Sequence, residues 1–217
     1  TPLYSSAASD VYKRQVVNKV KKMVPAYHLP QALPFKQVLA DGARLDLRPV
    51  SAAQSDIAVL QYTGGTTGVA KGTMLTHANL IANMLQANAC MLQHGPDGTP
   101  LMKPGQEVMI APLPLYHIYA FTMNCMCMMV NGNHNVLITN PRDIPGFVKE
   151  LGKWQFSALL GLNTLFVALM DHPDFDKLDF SHLKVTNSGG TALVKATAER
   201  WQRLTGCAVV EAVSYTH

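Results

Sequence analysis

Short apolar runs alternate with amphipathic segments along most of this chain. The apolar runs predict strands at 57–61, 107–111, 135–138, 158–160, 185–187 and 208–211. Segments with apolar positions every three or four residues predict helices that begin near 76, 120, 141, 164 and 194. Repeated strand–helix units with short connections predict an α/β fold, a mainly parallel sheet with helices on both faces.

Two helix starts carry recognisable capping residues. Thr76 precedes an apolar stripe at helical spacing, and a threonine side chain can accept a hydrogen bond from the first turn. Asn140 and Pro141 form a favourable cap and first-turn pair for a helix that runs through Leu151.

The two ends differ in character from the middle of the chain. Residues 1–15 and 214–217 resemble translated cloning adapter and are predicted not to be native sequence. Residues 16–55 are polar and rich in proline, which predicts a connector with a short basic helix at 17–24. Residues 56–213 hold the regular pattern and are predicted to be part of a larger domain. The chain therefore reads as an internal fragment of a longer protein.

Composition narrows the classes of protein. With 217 residues, 48% of them apolar, the chain can bury a core and is not of the disordered type. The net charge of +4 is modest, and basic residues do not interleave with aromatic ones, which argues against a nucleic-acid partner. Four cysteines lack disulfide or zinc spacing, which favours a reducing compartment and a cytoplasmic location. The longest apolar stretch, 118–130, is too short to span a bilayer.

The segment 62–72 is dense in glycine and threonine and contains one lysine. Glycine lets backbone N–H groups turn inward and approach an anion, and hydroxyl groups and an ammonium add donors and charge. A strand before it and a helix after it are a frequent context for nucleotide phosphates. The sequence predicts a loop that cradles a polyphosphate, with candidate residues Tyr62, Thr63, Gly64, Gly65, Thr66, Thr67, Gly68, Lys71 and Gly72. The structural alternative is a flexible surface loop.

This segment belongs to neither of two common nucleotide motifs. A Walker A loop ends in Gly-Lys-Ser/Thr, whereas Lys71 follows Ala70 and precedes Gly72. The glycine spacing also differs from the Gly-x-Gly-x-x-Gly of dinucleotide-binding folds. A kinase or ATPase of the Walker type is therefore disfavoured.

Two further candidates follow predicted strands. His117 ends the rigid segment 112–117, and Gly189–Gly190 follow the strand at 185–187. Because ligands bind beyond the carboxyl ends of parallel strands, we expect these residues and the segment 63–72 to share one cleft. The alternatives are a structural histidine and an ordinary turn. The methionine-rich run at 123–129 suits an adaptable tunnel, although a core helix is favoured.

The segment 62–72 resembles the phosphate-loop signature of the adenylate-forming superfamily, which includes acyl-CoA synthetases, luciferases and peptide-synthetase adenylation domains. Residues 112–120 resemble its second core motif, whose histidine borders the acyl pocket. Residues 188–193 resemble the segment that lines the adenine and acyl pockets. Residues 138–145 and 161–166 look most like bacterial long-chain fatty-acid–CoA ligases. The resemblance extends over residues 16–213.

The resemblance implies a two-step reaction. A fatty carboxylate attacks the α-phosphorus of ATP to give acyl-adenylate and pyrophosphate, and the thiol of coenzyme A then attacks the acyl carbon. It implies ATP, fatty acid and CoA as partners, Mg²⁺ as cofactor, nucleotide binding by residues of 62–72, and substrate binding by His117, Gly189 and Gly190. It implies a cytoplasmic enzyme, with peripheral contact with the inner membrane face left open.

The chain departs from the family pattern near its end. The family's next motif has a Tyr-Gly-x-Thr-Glu core whose glutamate helps to bind Mg²⁺, whereas here Glu211 is followed by Ala212 and Val213 and then by the adapter-like tail. The ribose-binding aspartate and the small C-terminal domain with its lysine are expected to be missing. We therefore expect no complete catalytic set and no turnover by these 217 residues alone. The alternatives are another acyl or aryl adenylate-forming ligase, or an inert nucleotide-binding fragment.

Overall fold

The computed structural model describes residues 28–63, 71–94 and 98–212. The helix predicted at 17–24 and most of the predicted phosphate loop, residues 64–70, lie outside these ranges. The chain divides into two compact units, Thr1–Ser51 and Ala52–His217. In the first unit the structure describes one helix, α1 (Phe35–Gly42).

The second unit contains the strands and the other helices. Its strands are β1 (Ile57–Thr63), β2 (Lys71–Thr76), β3 (Val108–Ala111), β4 (His134–Leu137), β5 (Ala158–Gly161), β6 (Val185–Ser188) and β7 (Val209–Glu211). Its α-helices are α2 (His77–Met91), α3 (Ile118–Ala120), α4 (Ile144–Leu151), α5 (Asn163–Met170) and α6 (Lys195–Thr205). A π-helix, Phe121–Met128, continues α3, and a 3-10 turn, Phe175–Lys177, follows α5.

Five strands form a parallel sheet in the order β4-β3-β5-β6-β7. The chain moves from β3 outward to β4 and then crosses back over β3 to β5, so the strand order reverses at β3. This sheet and its helices confirm the predicted α/β fold class.

Both faces of the sheet are covered, as the pattern predicts. Alternate residues of one strand point to opposite faces, and the two buried clusters divide accordingly. Ile110 and Leu159 belong to a cluster with side chains of α4, α5 and α6, including Phe147, Phe166 and Trp201. Met109, Ala158 and Leu160 belong to a second cluster, in which they pack with residues of α2 and the π-helix, including Met91, Cys127 and Met128.

The second cluster supports the core interpretation of the methionine-rich run. Cys127 and Met128 are fully buried in it. Burial also raises the pKa of the Cys127 thiol to about 11, so the group stays a protonated, unreactive small hydrophobe.

The strand predicted at 57–61 exists, but the prediction that it belongs to the parallel sheet is wrong. β1 pairs antiparallel with β2 in a separate two-stranded sheet, and the strand β2 was not predicted. Lys71 and Gly72 therefore begin a strand and do not belong to a loop. β2 reads Lys-Gly-Thr-Met-Leu-Thr, which has no long apolar run, so only its pairing with β1 reveals it.

Of the two predicted helix caps, one is confirmed and one is wrong. Thr76 caps α2 as predicted: its hydroxyl accepts from the Asn79 N–H, and the Asn79 side chain accepts from the Thr76 N–H. The cap predicted at Asn140 is wrong, because α4 starts later and Asp143 Oδ1 accepts the Gly146 N–H at 3.1 Å. Asn140 instead accepts the Asp143 N–H through its carbonyl, in the turn before the helix.

An ion pair between a buried carboxylate and a partly exposed lysine lies at the amino ends of β3 and β6. Lys184 Nζ is 2.7 Å from Glu107 Oε1, and the Glu107 side chain is 2% exposed. The Lys103 N–H also donates to this oxygen, at 2.6 Å. Burial opposes ionisation, but the hydrogen bonds from Lys184, Ser157 and the Lys103 N–H outweigh it and lower the pKa of Glu107. The carboxylate is therefore charged and depends on its partners.

Replacing Lys184 by methionine should destabilise the chain by about 2 kcal/mol, because it leaves a buried carboxylate short of a partner. Urea unfolding at neutral pH measures this, with Lys177→Met at an exposed pair as the matched control. Since the folded pKa of Glu107 lies below its unfolded value, the stabilisation is complete above that value, about 4.3, and is lost as the pH falls through the folded pKa. A difference that stays constant down to pH 3 would contradict this assignment.

Candidate functional site

The segments that follow the parallel strands meet at one edge of the sheet. Residues 112–117 follow β3, and Gly189–Gly190 follow β6. Because β3, β5, β6 and β7 all run in one direction, their carboxyl ends share this edge.

His117 forms the start of α3. Its Nδ1 accepts the Tyr119 N–H at 3.3 Å, and its carbonyl accepts the Phe121 N–H at 2.9 Å. The half-buried ring is thus fixed by the first turn of the helix. With Nδ1 as the acceptor, the neutral imidazole carries its proton on Nε2.

Tyr119 joins the segment of His117 to the end of β6. Its hydroxyl donates to Asn187 Oδ1. A Cβ built on Gly189 would lie 3.0 Å from the Tyr119 ring, so a side chain at this position would push the ring away by a few tenths of an ångström. Burial raises the pKa of the Tyr119 phenol well above its usual range, which keeps the hydroxyl protonated as a donor.

Sequence reasoning missed Tyr119, although it lies within the motif at 112–120. Its contacts are with residues about 70 positions away along the chain, and a local pattern does not show such contacts. The structure thus brings His117 and Gly189 to one half-buried tyrosine, which His117 contacts at the main-chain N–H and Gly189 at the ring.

Gly189 and Gly190 differ in role. The Gly189 N–H donates to the Gly161 carbonyl at 3.1 Å and extends the ladder between β5 and β6 by one bond. Gly190 has φ of 83° and turns the chain away from the strand through the left-handed region. The pair is therefore a strand extension followed by an exposed turn.

We expect Gly189→Ala to lower the free energy of unfolding by about 1–2 kcal/mol, because the new methyl group must displace the Tyr119 ring. Gly152→Ala is the control: it has φ of −64°, and a Cβ there meets no atom closer than 3.5 Å. Thermal or urea unfolding of the two variants checks the difference. Equal stability of both variants would contradict the close packing of Tyr119 on Gly189.

The four candidate phosphate residues that the structure describes, Tyr62, Thr63, Lys71 and Gly72, lie on a different sheet. In the β1–β2 hairpin Thr63 is opposite Lys71 and Tyr62 is opposite Gly72, so the hairpin brings together the two ends of 64–70. A Cβ on Gly72 would lie 3.2 Å from the Tyr62 ring. Gly64, Gly65, Thr66, Thr67 and Gly68 lie outside the described residues. The shared cleft was expected because all these segments were predicted to follow strands of one parallel sheet. The hairpin is not part of that sheet, so this argument does not apply to 63–72.

An open cavity of about 530 Å³ lies near the carboxyl ends of β3, β4 and β5, where the strand order reverses. In open parallel sheets this reversal point is the usual place for a ligand. Its walls are mainly apolar, and they include Leu113, Ile144, Leu162 and Leu165 with Arg142. Such a lining suits a hydrocarbon group better than a polyphosphate.

Within 28–63, 71–94 and 98–212, no three His, Cys, Asp or Glu side chains group closely enough to hold a metal ion. Of the helices in the same ranges, none has the length and apolar character needed to cross a membrane.

Comparison with known proteins identifies the family of this chain. Residues 5–215 match the AMP-binding enzyme family. That span includes residues 5–15, whose assignment to non-native sequence stays a prediction. A long-chain-fatty-acid–CoA ligase of Escherichia coli O6:H1 is 47% identical over 211 residues, which are 97% of this chain and 36% of the relative. The chain thus spans about a third of the length of this curated relative.

Solved structures share the fold. The N-terminal domain of FACL13 from Mycobacterium tuberculosis, crystallised with an inhibitor, matches with a TM-score of 0.66 and 19% identity over 83% of this chain and 43% of that chain. ATP-bound MatB from Rhodopseudomonas palustris matches with a TM-score of 0.62 and 24% identity over 76% of this chain and 30% of that chain. The match over residues 5–215, which is nearly the whole chain, establishes that the chain belongs to the AMP-binding enzyme family.

Proposed function

We propose that this chain is part of the AMP-binding domain of a long-chain fatty-acid–CoA ligase, an acid–thiol ligase. The observation that carries the proposal is the 47% identity to the Escherichia coli ligase over 97% of the chain. Within the chain, residues 56–213 form the partial domain, 16–55 the connector, and 1–15 and 214–217 the non-native ends.

The reaction has two steps. A carboxylate oxygen of the fatty acid attacks the α-phosphorus of ATP, the bond to the β-phosphate oxygen breaks, and pyrophosphate leaves. The thiolate of CoA then attacks the acyl carbon, and AMP leaves with the electron pair of the broken acyl–oxygen bond. Such transfers depend on positioning and on neutralisation of negative charge.

The hairpin supplies the phosphate contacts in this proposal. Pairing of Thr63 with Lys71 holds both ends of 64–70 at one place. Backbone N–H groups of 64–68, the hydroxyls of Thr66 and Thr67, and the Lys71 ammonium would bind the leaving pyrophosphate. Mg²⁺, when bound, neutralises phosphate charge, and it is commonly held largely by substrate phosphates with few protein ligands.

The edge of the parallel sheet supplies the adenine and acyl contacts. Gly189 and Gly190 present main chain there, and Tyr119 contacts both His117 and Gly189. The half-buried imidazole of His117 would lie beside the substrate carboxylate in this proposal. We place the enzyme in the cytoplasm, in peripheral contact with the inner membrane face, because ATP is polar and a long acyl chain partitions into lipid.

A chimera tests the proposal. The residues of the Escherichia coli ligase that align with residues 16–213 of this chain are replaced by that segment, and palmitate-dependent ATP–pyrophosphate exchange and CoA thiol consumption are measured. We expect both activities with palmitate and little exchange with benzoate. Exchange with benzoate alone would favour an aryl ligase, and a folded chimera without any exchange would favour an inert nucleotide-binding segment.

A further inference from the structure

The segment Gly189–Val194, between β6 and α6, is held at its far end by two side chains from neighbouring elements. The Leu193 N–H donates to Glu211 Oε1 at 2.8 Å, and Glu211 is the last residue of β7. The Val194 N–H donates to Asn163 Oδ1 at 3.1 Å, and Asn163 is the first residue of α5. One side chain thus reaches the segment from each side of β6.

The hydrogen bonds at the near end of the same segment join main-chain groups. The Gly189 N–H donates to the Gly161 carbonyl at 3.1 Å, and the Ala212 N–H donates to the Ser188 carbonyl at 2.7 Å. These bonds prolong the ladders of β6 with β5 and β7. Between the two ends lies an exposed turn with Gly190 in the left-handed region.

The local sequence does not hold the far end. Val194 is the N-cap of α6 and its side chain makes no capping hydrogen bond. A turn that contains glycine has many accessible conformations, so a segment fixed at one end only would sample several of them. The hydrogen bonds that Glu211 and Asn163 accept from the Leu193 and Val194 N–H groups hold this end instead.

We propose that Asn163 and Glu211 are positioning residues that together clamp Gly189–Val194 over the carboxyl edge of the sheet. The clamp keeps the main chain of Gly189 and Gly190 preorganised for the ligand at this edge. The nature of that ligand rests on the proposed function, whereas the clamp itself rests only on the contacts of the four residues. Preorganised contacts lower the cost of ordering the site when the ligand binds.

Hydrogen exchange in the 217-residue chain, followed by NMR, tests the clamp without reference to any activity. Glu211→Ala should speed exchange of the Leu193 amide about tenfold. Asn163→Ala should speed exchange of the Val194 amide by the same factor. Glu211→Gln and Asn163→Asp keep an acceptor oxygen and should restore slow exchange. The Leu159 amide in β5 serves as the unchanged reference. Equal exchange in the alanine variants and the wild type would overturn the clamp.

Kinetic measurements on the chimera test whether the clamp supports substrate binding at this edge of the sheet. Both alanine variants should raise the KM for ATP or palmitate about tenfold, with an unchanged melting temperature and with rescue by Glu211→Gln and Asn163→Asp. A merely structural role would instead lower the melting temperature and leave KM unchanged, and that result overturns the positioning role. An inactive wild-type chimera would count against the proposed function, and hydrogen exchange would still decide the clamp.

Discussion

Replacing Lys71 by alanine in the chimeric ligase is expected to slow adenylation about 10- to 150-fold. This range corresponds to the loss of one charge-assisted phosphate contact, about 1.5–3 kcal/mol. Lys71 is exposed at the first position of β2 and pairs with Thr63, the last residue of β1. It therefore directly follows residues 64–70 at the end of the hairpin where they connect the two strands. Thr66→Ala should slow adenylation in the same direction. ATP–pyrophosphate exchange with palmitate measures both variants.

The control for Lys71 is Lys149→Ala, which removes the same charge from the exposed face of α4. It should leave exchange within about twofold of the wild type, because a solvated charge far from the reacting phosphates is screened. Binding of palmitate without ATP should also stay unchanged in Lys71→Ala. If adenylation were unaffected in both Lys71→Ala and Thr66→Ala, 62–72 would not be the phosphate site.

Replacing Trp201 by alanine is expected to lower the free energy of unfolding by about 3–5 kcal/mol. Trp201 is fully buried, and its ring centroid lies 4.7 Å from that of Phe166 and 5.4 Å from that of Phe175. Its indole Nε1–H donates to Thr186 Oγ1 at 3.1 Å, on β6. Because a domain is stable by only about 5–15 kcal/mol, the variant should be close to unfolding at room temperature.

Trp154→Ala is the matched control, since Trp154 is half-buried and its indole N–H bonds to Glu150 at the end of α4. It should cost about 1–2 kcal/mol, in proportion to the smaller apolar surface that it buries. Urea unfolding with circular dichroism compares the two variants. Similar losses for Trp201→Ala and Trp154→Ala would mean that the cluster around Trp201 is not the main core.

The sequence by itself determined the order of strands and helices in the parallel part of the fold. Strands predicted at 158–160 and 185–187 are observed as Ala158–Gly161 and Val185–Ser188. The first of them is buried along its whole length, and such strands consist of unbroken apolar or small residues. The cap at Thr76 was also predictable, since its partner Asn79 is three residues away. The family followed from the glycine- and threonine-rich motif at 62–72, which is contiguous in the chain.

The tertiary structure decided what depends on contacts between distant residues. The strand β2 exists through pairing with β1, and its own residues have no strong strand pattern. The contact of Tyr119 with Asn187 and Gly189, and the hold of Glu211 on Leu193, join positions that are far apart in the chain. Hydrophobic periodicity predicts which face of a helix or strand is buried, but it does not predict which distant residue packs against that face. The residues that hold the candidate site together therefore emerged only from the folded chain.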